Sequence, residues 1–329
     1  MRRALITGIA GQDGTYLAKF LLEKGYNVFG FNKQRTSLEN HAVLGILGKV
    51  SIIDGDITDS SSVDMALKIS RPHEIYNLAA QSHVGYSFDT PYQTCAVNFT
   101  GYLNILYGAR KNTPWAKIYQ AGTSEMFGYA AGNVANENTP FQPKSPYAIS
   151  KVAAHWSGVN ARHEAGQFVA NGILFNHESP IRHPYFVTRK ITMGIAKLMA
   201  GSSEPLRLGN IDSVRDWGFA GDYVEAMWLM LQHDRPDDFV VATGKKHTVR
   251  EFIELAFYMA GGKITFNGSG VDEKGYMDGK VIMEIDKKFY RPNDLTYLCG
   301  DASKAKSVLG WEPKTTLEQL VKLMVRSEV

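Results

Sequence analysis

The chain has 329 residues, 44% hydrophobic and 21% charged, with a formal net charge of +3. That balance fits one large or two coupled globular domains and argues against a nucleic-acid surface. Two distant cysteines, Cys95 and Cys299, point to a reducing, cytoplasmic compartment without a metal site, and no apolar run reaches the roughly 18 residues of a membrane span.

The first strand, Ala4 to Ile6, leaves no room for a signal peptide. It ends in a turn with Gly8, Gly11 and Gly14, followed by a helix with Tyr16, Leu17, Phe20 and Leu21 on its apolar side. Strand, glycine turn and helix form a dinucleotide cradle. Gly8 makes the tight turn, Gly11 lets the backbone approach a pyrophosphate, and Gly14 lets the helix pack on the strand. The helix N-terminus faces the phosphates. The spacing is G-x-x-G-x-x-G, a variant of the common fingerprint, and a triplet of this kind also serves as a plain turn.

The second strand runs from Tyr26 to Phe31. The residue closing such a strand reads the adenine ribose, and an acid there binds the 2′-hydroxyl of NAD. Here Asn32 is followed by Lys33, Gln34, Arg35, Thr36 and Ser37. Two cations, two hydroxyls and no acid favour the 2′-phosphate of NADP, with a solvated charged loop as the other reading. A third strand in KVSIIDGDITD leads to Asp56, placed where an acid meets the adenine edge. A helix over 60–69 precedes the strand from Ile75 to Ala80, whose small end residues let a cofactor lie against backbone. A long helix is expected over 91–111, a fifth strand in AKIYQAG and a sixth in ANGILF.

This alternation implies an α/β fold with a doubly wound parallel sheet over residues 1–175. Beyond Phe175, helical pieces (189–199, 223–232, 248–260, 316–326) alternate with short strands and glycine-rich loops. Residues 176–329 read as a smaller C-terminal α/β substrate lobe packed on the sheet, with segments returning to the first domain.

Tyr147 and Lys151 form a Y-x-x-x-K pair on one helix face. A lysine cation beside a phenol lowers its pKa and makes phenolate a usable base. Long helices also hold such pairs by chance. AGTSEMFG closes the fifth strand at the carboxyl edge of the sheet, where ligands of open α/β sheets bind. Thr123 and Glu125 are therefore expected in the Tyr147 cleft. A hydroxyl, a carboxylate and a Tyr–Lys pair at a nicotinamide are the parts of an oxidoreductase with an extra acid/base.

The blocks TGIAGQDGTYL, YNLAAQSHV, TSEMFG, SPYAISK, LFNHESP, FVTRKIT, RDWGFAGDYVEAMWLMLQ and FYRPND resemble the GDP-mannose 4,6-dehydratases, a family of extended short-chain dehydrogenases, from residue 3 to the C-terminal helix. The resemblance implies a catalytic set of Thr123, Glu125, Tyr147 and Lys151. It implies NADP binding by Gly8, Gly11, Gln12, Asp13, Gly14, Arg35, Asp56, Ile57, Leu78, Ala80, Ser82, Lys151, His177 and Arg182. It places the GDP-sugar against Ser82, Asn176, Val187, Lys190, Leu208, Gly209, Arg215, Arg291 and Asp294. Read from the residues alone, His177 also fits a satisfied buried histidine, Arg215 a surface ion pair, and Arg291 with Asp294 a local salt bridge.

The implied reaction is an internal redox dehydration. Tyr147 takes the O4 proton as C4 gives up a hydride, Glu125 removes the C5 proton, and water leaves C6 with help from Glu125 or Thr123. Rival readings are dehydration of another GDP-sugar, such as a GDP-heptose, and a GDP-4-keto-6-deoxy-sugar reductase. The resemblance also implies a homo-oligomer, at least a dimer built on the helices over 91–111 and 145–164 and, further, a tetramer. Val97, Phe99, Leu103, Ile105 and Leu106 are the expected apolar seam residues on the first helix, with Ile149, Val152, Ala153 and Trp156 on the second. Three departures from the family pattern bear on the tetramer and the hexose. Lys33 and Gln34 precede Arg35, Ile181 replaces the first arginine of S-P-R-R-G, and Gly85 stands where a larger basic residue is common.

Overall fold

The computed structural model describes residues 1–34, 36–128, 134–289 and 297–328. Its centre is a seven-stranded sheet in the order Asp238–Val241, Val169–Leu174, Lys117–Ala121, Glu74–Asn77, Arg3–Thr7, Asn27–Asn32, Ser51–Asp54. Every neighbouring pair is parallel. The chain winds outward from Arg3–Thr7 in one direction, returns to Glu74–Asn77, and winds outward in the other. The doubly wound sheet expected from the sequence is present, and its order reverses between Arg3–Thr7 and Glu74–Asn77. A crevice opens beyond the carboxyl ends at such a reversal.

Helices cover both faces, so the central strands are buried throughout, as in Val169–Leu174. On one face, Leu17, Ala18 and Leu21 of the helix Gln12–Glu23 meet Tyr223, Met227 and Met230 of Ala220–Gln232. On the other, Val63 and Leu67 of Ser60–Ser70 pack with Ile105, Leu106, Ala154 and Ala161. Residues 220–241 thus give the sheet both a covering helix and its edge strand. A separate core joins the helices Val187–Met199, Val249–Met259 and Leu317–Arg326 to a four-stranded sheet through Ile195, Leu206, Phe252, Leu320 and others. Thr248 with Glu251 and Thr316 with Gln319 close capping boxes at two of these helices.

Several elements differ from expectation. The strand over 75–80 stops at Asn77. Leu78 and Ala79 leave the ladder, and their N–H groups donate to Thr7 Oγ1 at 3.1 and 3.0 Å. The helix over 91–111 is three pieces, Pro91–Cys95, a π-turn at Ala96–Thr100, and Gly101–Asn112. A further short helix, Val84–Asp89, is capped by the His83 side chain. Ile105 and Leu106 are buried in the molecule's own core, so they are not available to a partner. Tyr107 on Gly101–Asn112, and Ile149 and Trp156 on the helix Pro146–Ala165, are exposed at 66%, 53% and 56%, as is Tyr92 on Pro91–Cys95.

Candidate active site

The glycine turn is built as its spacing implies. Gly8 has φ +70°, and a Cβ there would lie 2.9 Å from the Ala79 backbone. A Cβ on Gly14 would lie 2.5 Å from Gly8 O, so only glycine lets the helix sit this close. Gly11 is the N-cap, and no side chain caps the first-turn N–H groups. They remain for an anion at the positive end of the helix dipole.

The side chains of this turn face the chain, not the cradle. Gln12 Nε2 donates to His177 O at 3.0 Å, and Ser179 Oγ donates to Gln12 Oε1 at 2.7 Å. Asp13 Oδ2 lies 2.8 Å from His177 Nε2, and His177 Nδ1 lies 2.7 Å from Phe175 O. Burial alone would raise the Asp13 carboxyl, but the His177 charge and hydrogen bond, with Gln12 and Arg182, hold it at about 2. Burial alone would lower His177, and the same partner overcomes it, leaving the imidazole above its ordinary value. His177 is therefore a satisfied buried residue, stacked on Tyr223 at 4.6 Å, and it ties the cofactor turn to the strand Asn176–Glu178.

Just past the strands Asn27–Asn32 and Ser51–Asp54, Lys33 Nζ lies 3.1 Å from Asp56 Oδ2, and Asp56 Oδ1 accepts from Thr58 N–H and Oγ1. Two residues read separately from the sequence form a pair. Arg35 lies outside the described residues. Ile57 is buried, packed on Gly101, and its carbonyl accepts from Asn104. Leu78, Ala80 and exposed Ser82 line the loop beyond Asn77.

The helix Pro146–Ala165 starts where Ser145 Oγ accepts from Ala148 N–H and Pro146 occupies the first turn, and stops at Gly166 with φ +61°. Its buried side carries Tyr147, Ser150, Lys151 and Ala154. Thr123, buried at the end of the strand Lys117–Ala121, accepts from Glu125 N–H and hydrogen-bonds the Tyr147 phenol. Burial, with the Glu125 charge, pushes that phenol up to about 12, while Thr123 and Arg182 oppose the rise. Lys151, on the same face, has its own partner on the strand Lys117–Ala121. Its ammonium donates to Ala121 O at 2.8 Å and is drawn down to about 8 by burial. Arg182 is a cation that opposes the rise; its Nε lies 3.1 Å from buried Glu178 and its guanidinium lies 3.6 Å over Phe186.

Sequence reading missed Asn98. Buried in the π-turn, it accepts from Gln81 N–H at 2.8 Å and donates to Gln81 O and Ser150 Oγ, each at 3.0 Å. Ser150 Oγ in turn donates to Tyr147 O at 2.7 Å. One side chain thus fastens the loop after Asn77 to the helix Pro146–Ala165. The signal was an asparagine inside the apolar run AVNFTGYL, which a buried helix keeps only when its amide is satisfied. A second missed device links three strands, with Thr7 Oγ1 donating to Asn77 and Asn77 Nδ2 to Gln120, each at 2.7 Å.

On the far side, Asn176 begins a strand parallel to Trp217–Phe219. Val187 opens the helix Val187–Met199, and Lys190 holds its ammonium 3.5 Å over Phe289, drawn down by burial against Asp286. A Cβ on Gly209 would lie 2.3 Å from Phe289 O. Arg215 is partly buried, and its strand pairs with His247–Thr248. Leu208 departs from expectation. Its side chain lies in the lobe core and its carbonyl already accepts from Asp286 N–H. Arg291 and Asp294 lie outside the described residues.

A family model described as GDP-mannose 4,6 dehydratase matches residues 5–324. The chain is 49% identical over 340 residues to GDP-mannose 4,6 dehydratase 1 of Arabidopsis thaliana, covering 99% of this chain and 89% of that one. It is 46% identical over 340 residues to GDP-mannose 4,6 dehydratase of Homo sapiens, covering 99% and 91%. The solved UDP-glucose 4-epimerase of Thermus thermophilus, in complex with NAD, matches with TM-score 0.83 at 27% identity over 100% of this chain and 99% of that one.

Proposed function

The chain belongs to the GDP-mannose 4,6-dehydratase family, and we propose that it converts GDP-mannose to GDP-4-keto-6-deoxymannose and water, using a tightly held NADP that is regenerated in each cycle. The observation that carries the reading is the grouping of Thr123, Glu125 and Tyr147, with Glu125 close enough for its charge to act on the phenol. A reductase of the product would use Thr123, Tyr147 and Lys151 and have no need of Glu125.

The cradle suits a dinucleotide. Gly8 and Gly14 sit where a Cβ would collide, and the first-turn N–H groups after Gly11 are uncapped. Lys33 and Arg35, with no acid at Asn32, favour the 2′-phosphate of NADP. Bound NADP supplies a hydride acceptor for C4 and, once reduced, a hydride donor for C6. Tyr147 takes the O4 proton, oriented by Thr123, which with Arg182 opposes the rise that burial imposes on the phenol and so favours the phenolate this step needs. Lys151, anchored on Ala121 O, holds its charge at the base of the same cleft. Glu125 removes the C5 proton, acidified by the C4 ketone, and protonates the leaving C6 hydroxyl, and the proton that Tyr147 took from O4 is returned to C5 when C6 is reduced, which resets the phenolate. Residues 1–175 hold the cofactor in this reading, and 176–329 the GDP-sugar. There Lys190, Arg215 and Arg291 serve the diphosphate, since arginine presents a fork of donors.

We further propose a dimer through the helices that carry exposed Tyr107, Ile149 and Trp156, because an apolar face left on a helix after core packing suits a second copy. The activity is tested by mass spectrometry of GDP-mannose incubated with the enzyme. Loss of one water with no net change in nicotinamide absorbance supports the reading, and net NADPH consumption contradicts it.

A further inference from the structure

Arg215 and residues 297–300 come from distant parts of the chain. One carboxylate joins them. Asp216 is fully buried. Its Oδ1 accepts from Thr243 N–H at 2.9 Å and Thr243 Oγ1 at 2.6 Å. Its Oδ2 accepts from Gly244 N–H at 2.9 Å and Gly300 N–H at 3.3 Å, with Cys299 Sγ 3.9 Å away. Thr243 and Gly244 lie just past the sheet's edge strand, Asp238–Val241. Val214 bridges Tyr297, and Leu298 N–H donates to Val214 O at 3.2 Å. The strand of Arg215 is therefore clasped between the main sheet and residues 297–300.

These donors are all neutral. Burial pushes the Asp216 carboxyl above its ordinary value, against their pull. A buried carboxylate without a cation is costly, so a neutral residue would replace it if shape alone mattered. Asparagine matches the shape but not the donors. Whichever way its amide turns, an NH2 group faces N–H groups that need an acceptor.

We propose that Asp216 is a positioning residue for the GDP-sugar, holding the Arg215 strand and residues 297–300 in fixed register at the end of the sheet's edge strand. The proposal rests on the reading that Arg215 binds the GDP-sugar. It assigns Asp216 no contact with reacting atoms.

The test is calorimetric titration of the full-length Asp216→Asn enzyme with GDP-mannose and with NADP, alongside KM and kcat. Affinity for GDP-mannose falls and KM rises about tenfold or more, the scale of a charge-assisted hydrogen bond, with NADP affinity and kcat nearly unchanged. Thr243→Val, which removes one donor, shows a smaller shift in the same direction and carries the test if Asp216→Asn does not fold. Unchanged GDP-mannose affinity in the folded variants overturns the proposal, as does an equal loss of NADP affinity. Arg215→Ala separates the two claims. If it leaves GDP-mannose affinity intact, the reading of Arg215 fails. If it weakens binding and Asp216→Asn does not, only the positioning role fails. In the double variant the losses do not add if Asp216 acts through Arg215, and full additivity overturns that route.

Discussion

His177 Nε2 lies 2.8 Å from Asp13 Oδ2, across 164 residues of sequence. The contact joins the turn that opens toward a cofactor pyrophosphate to the strand that begins the proposed sugar side. Gln12 adds two bonds along the same seam, to His177 O and from Ser179 Oγ. Asp13 directs its carboxylate to His177, and the first-turn N–H groups after Gly11 carry no side-chain cap.

The pair gives a pH signature. His177 sits above its ordinary 6.5, so its contribution to stability is complete below that value and is lost as pH rises through the raised one. Asp13 sits at about 2, so its contribution is complete above the ordinary 3.8 and is lost as pH falls toward 2. Thermal melting of the native chain and of Asp13→Asn should differ most between these limits, and the difference should shrink above neutral pH. A difference that grows with rising pH contradicts the assignment.

Tyr147→Phe and Glu125→Gln are expected to fail at different steps. Tyr147→Phe removes the O4 base and slows turnover by about 10²–10⁴-fold, with no reduced cofactor formed. Glu125→Gln takes away a charge that helps hold the phenol at about 12, so C4 oxidation proceeds while water loss stops. Rapid-mixing absorbance should then show bound NADPH and a 4-keto sugar accumulating. Native turnover in Glu125→Gln removes Glu125 from the mechanism.

Lys33 and Arg35 are expected to contribute unequally to NADP binding. Lys33 is already paired with Asp56 at the surface, and exposed pairs of this kind are worth about 0.2–1 kcal/mol. Lys33→Ala therefore has a small effect. Arg35→Ala weakens NADP by about 1.5–3 kcal/mol and leaves NAD nearly unchanged. Titration of both cofactors checks this, and equal native affinity for NAD and NADP contradicts it.

What was legible in the sequence was local. Gly8, Gly11 and Gly14 follow from turn geometry, the parallel sheet from strand and helix alternation, and the Tyr147–Lys151 face from helical spacing. What was not legible depended on partners set by the crossovers. Lys151 and Tyr147 were expected to act on each other, yet Lys151 is satisfied by Ala121 O, at the end of a strand the spacing argument does not consult. Lys33 and Asp56 follow the strands Asn27–Asn32 and Ser51–Asp54 and meet only once these pair in register. Ile105 and Leu106 look like seam residues until the helix Ser60–Ser70 covers them. Leu208 fits a ligand wall by position and the lobe core by burial.

The helix face predicts assembly. Trp156→Glu, or Ile149→Glu, places a charge on an exposed apolar face and should convert a dimer to a monomer in sedimentation equilibrium while the circular dichroism spectrum stays native. A native chain that is monomeric with and without NADP contradicts the proposed seam.

The central claim is that hydride leaves C4 and returns to C6 within one active site. It is tested most directly with GDP-mannose deuterated at C4, with the product examined by mass spectrometry and NMR. The account predicts loss of one water with the deuterium retained and now on C6. Deuterium still on C4, or washed out into solvent, would contradict it.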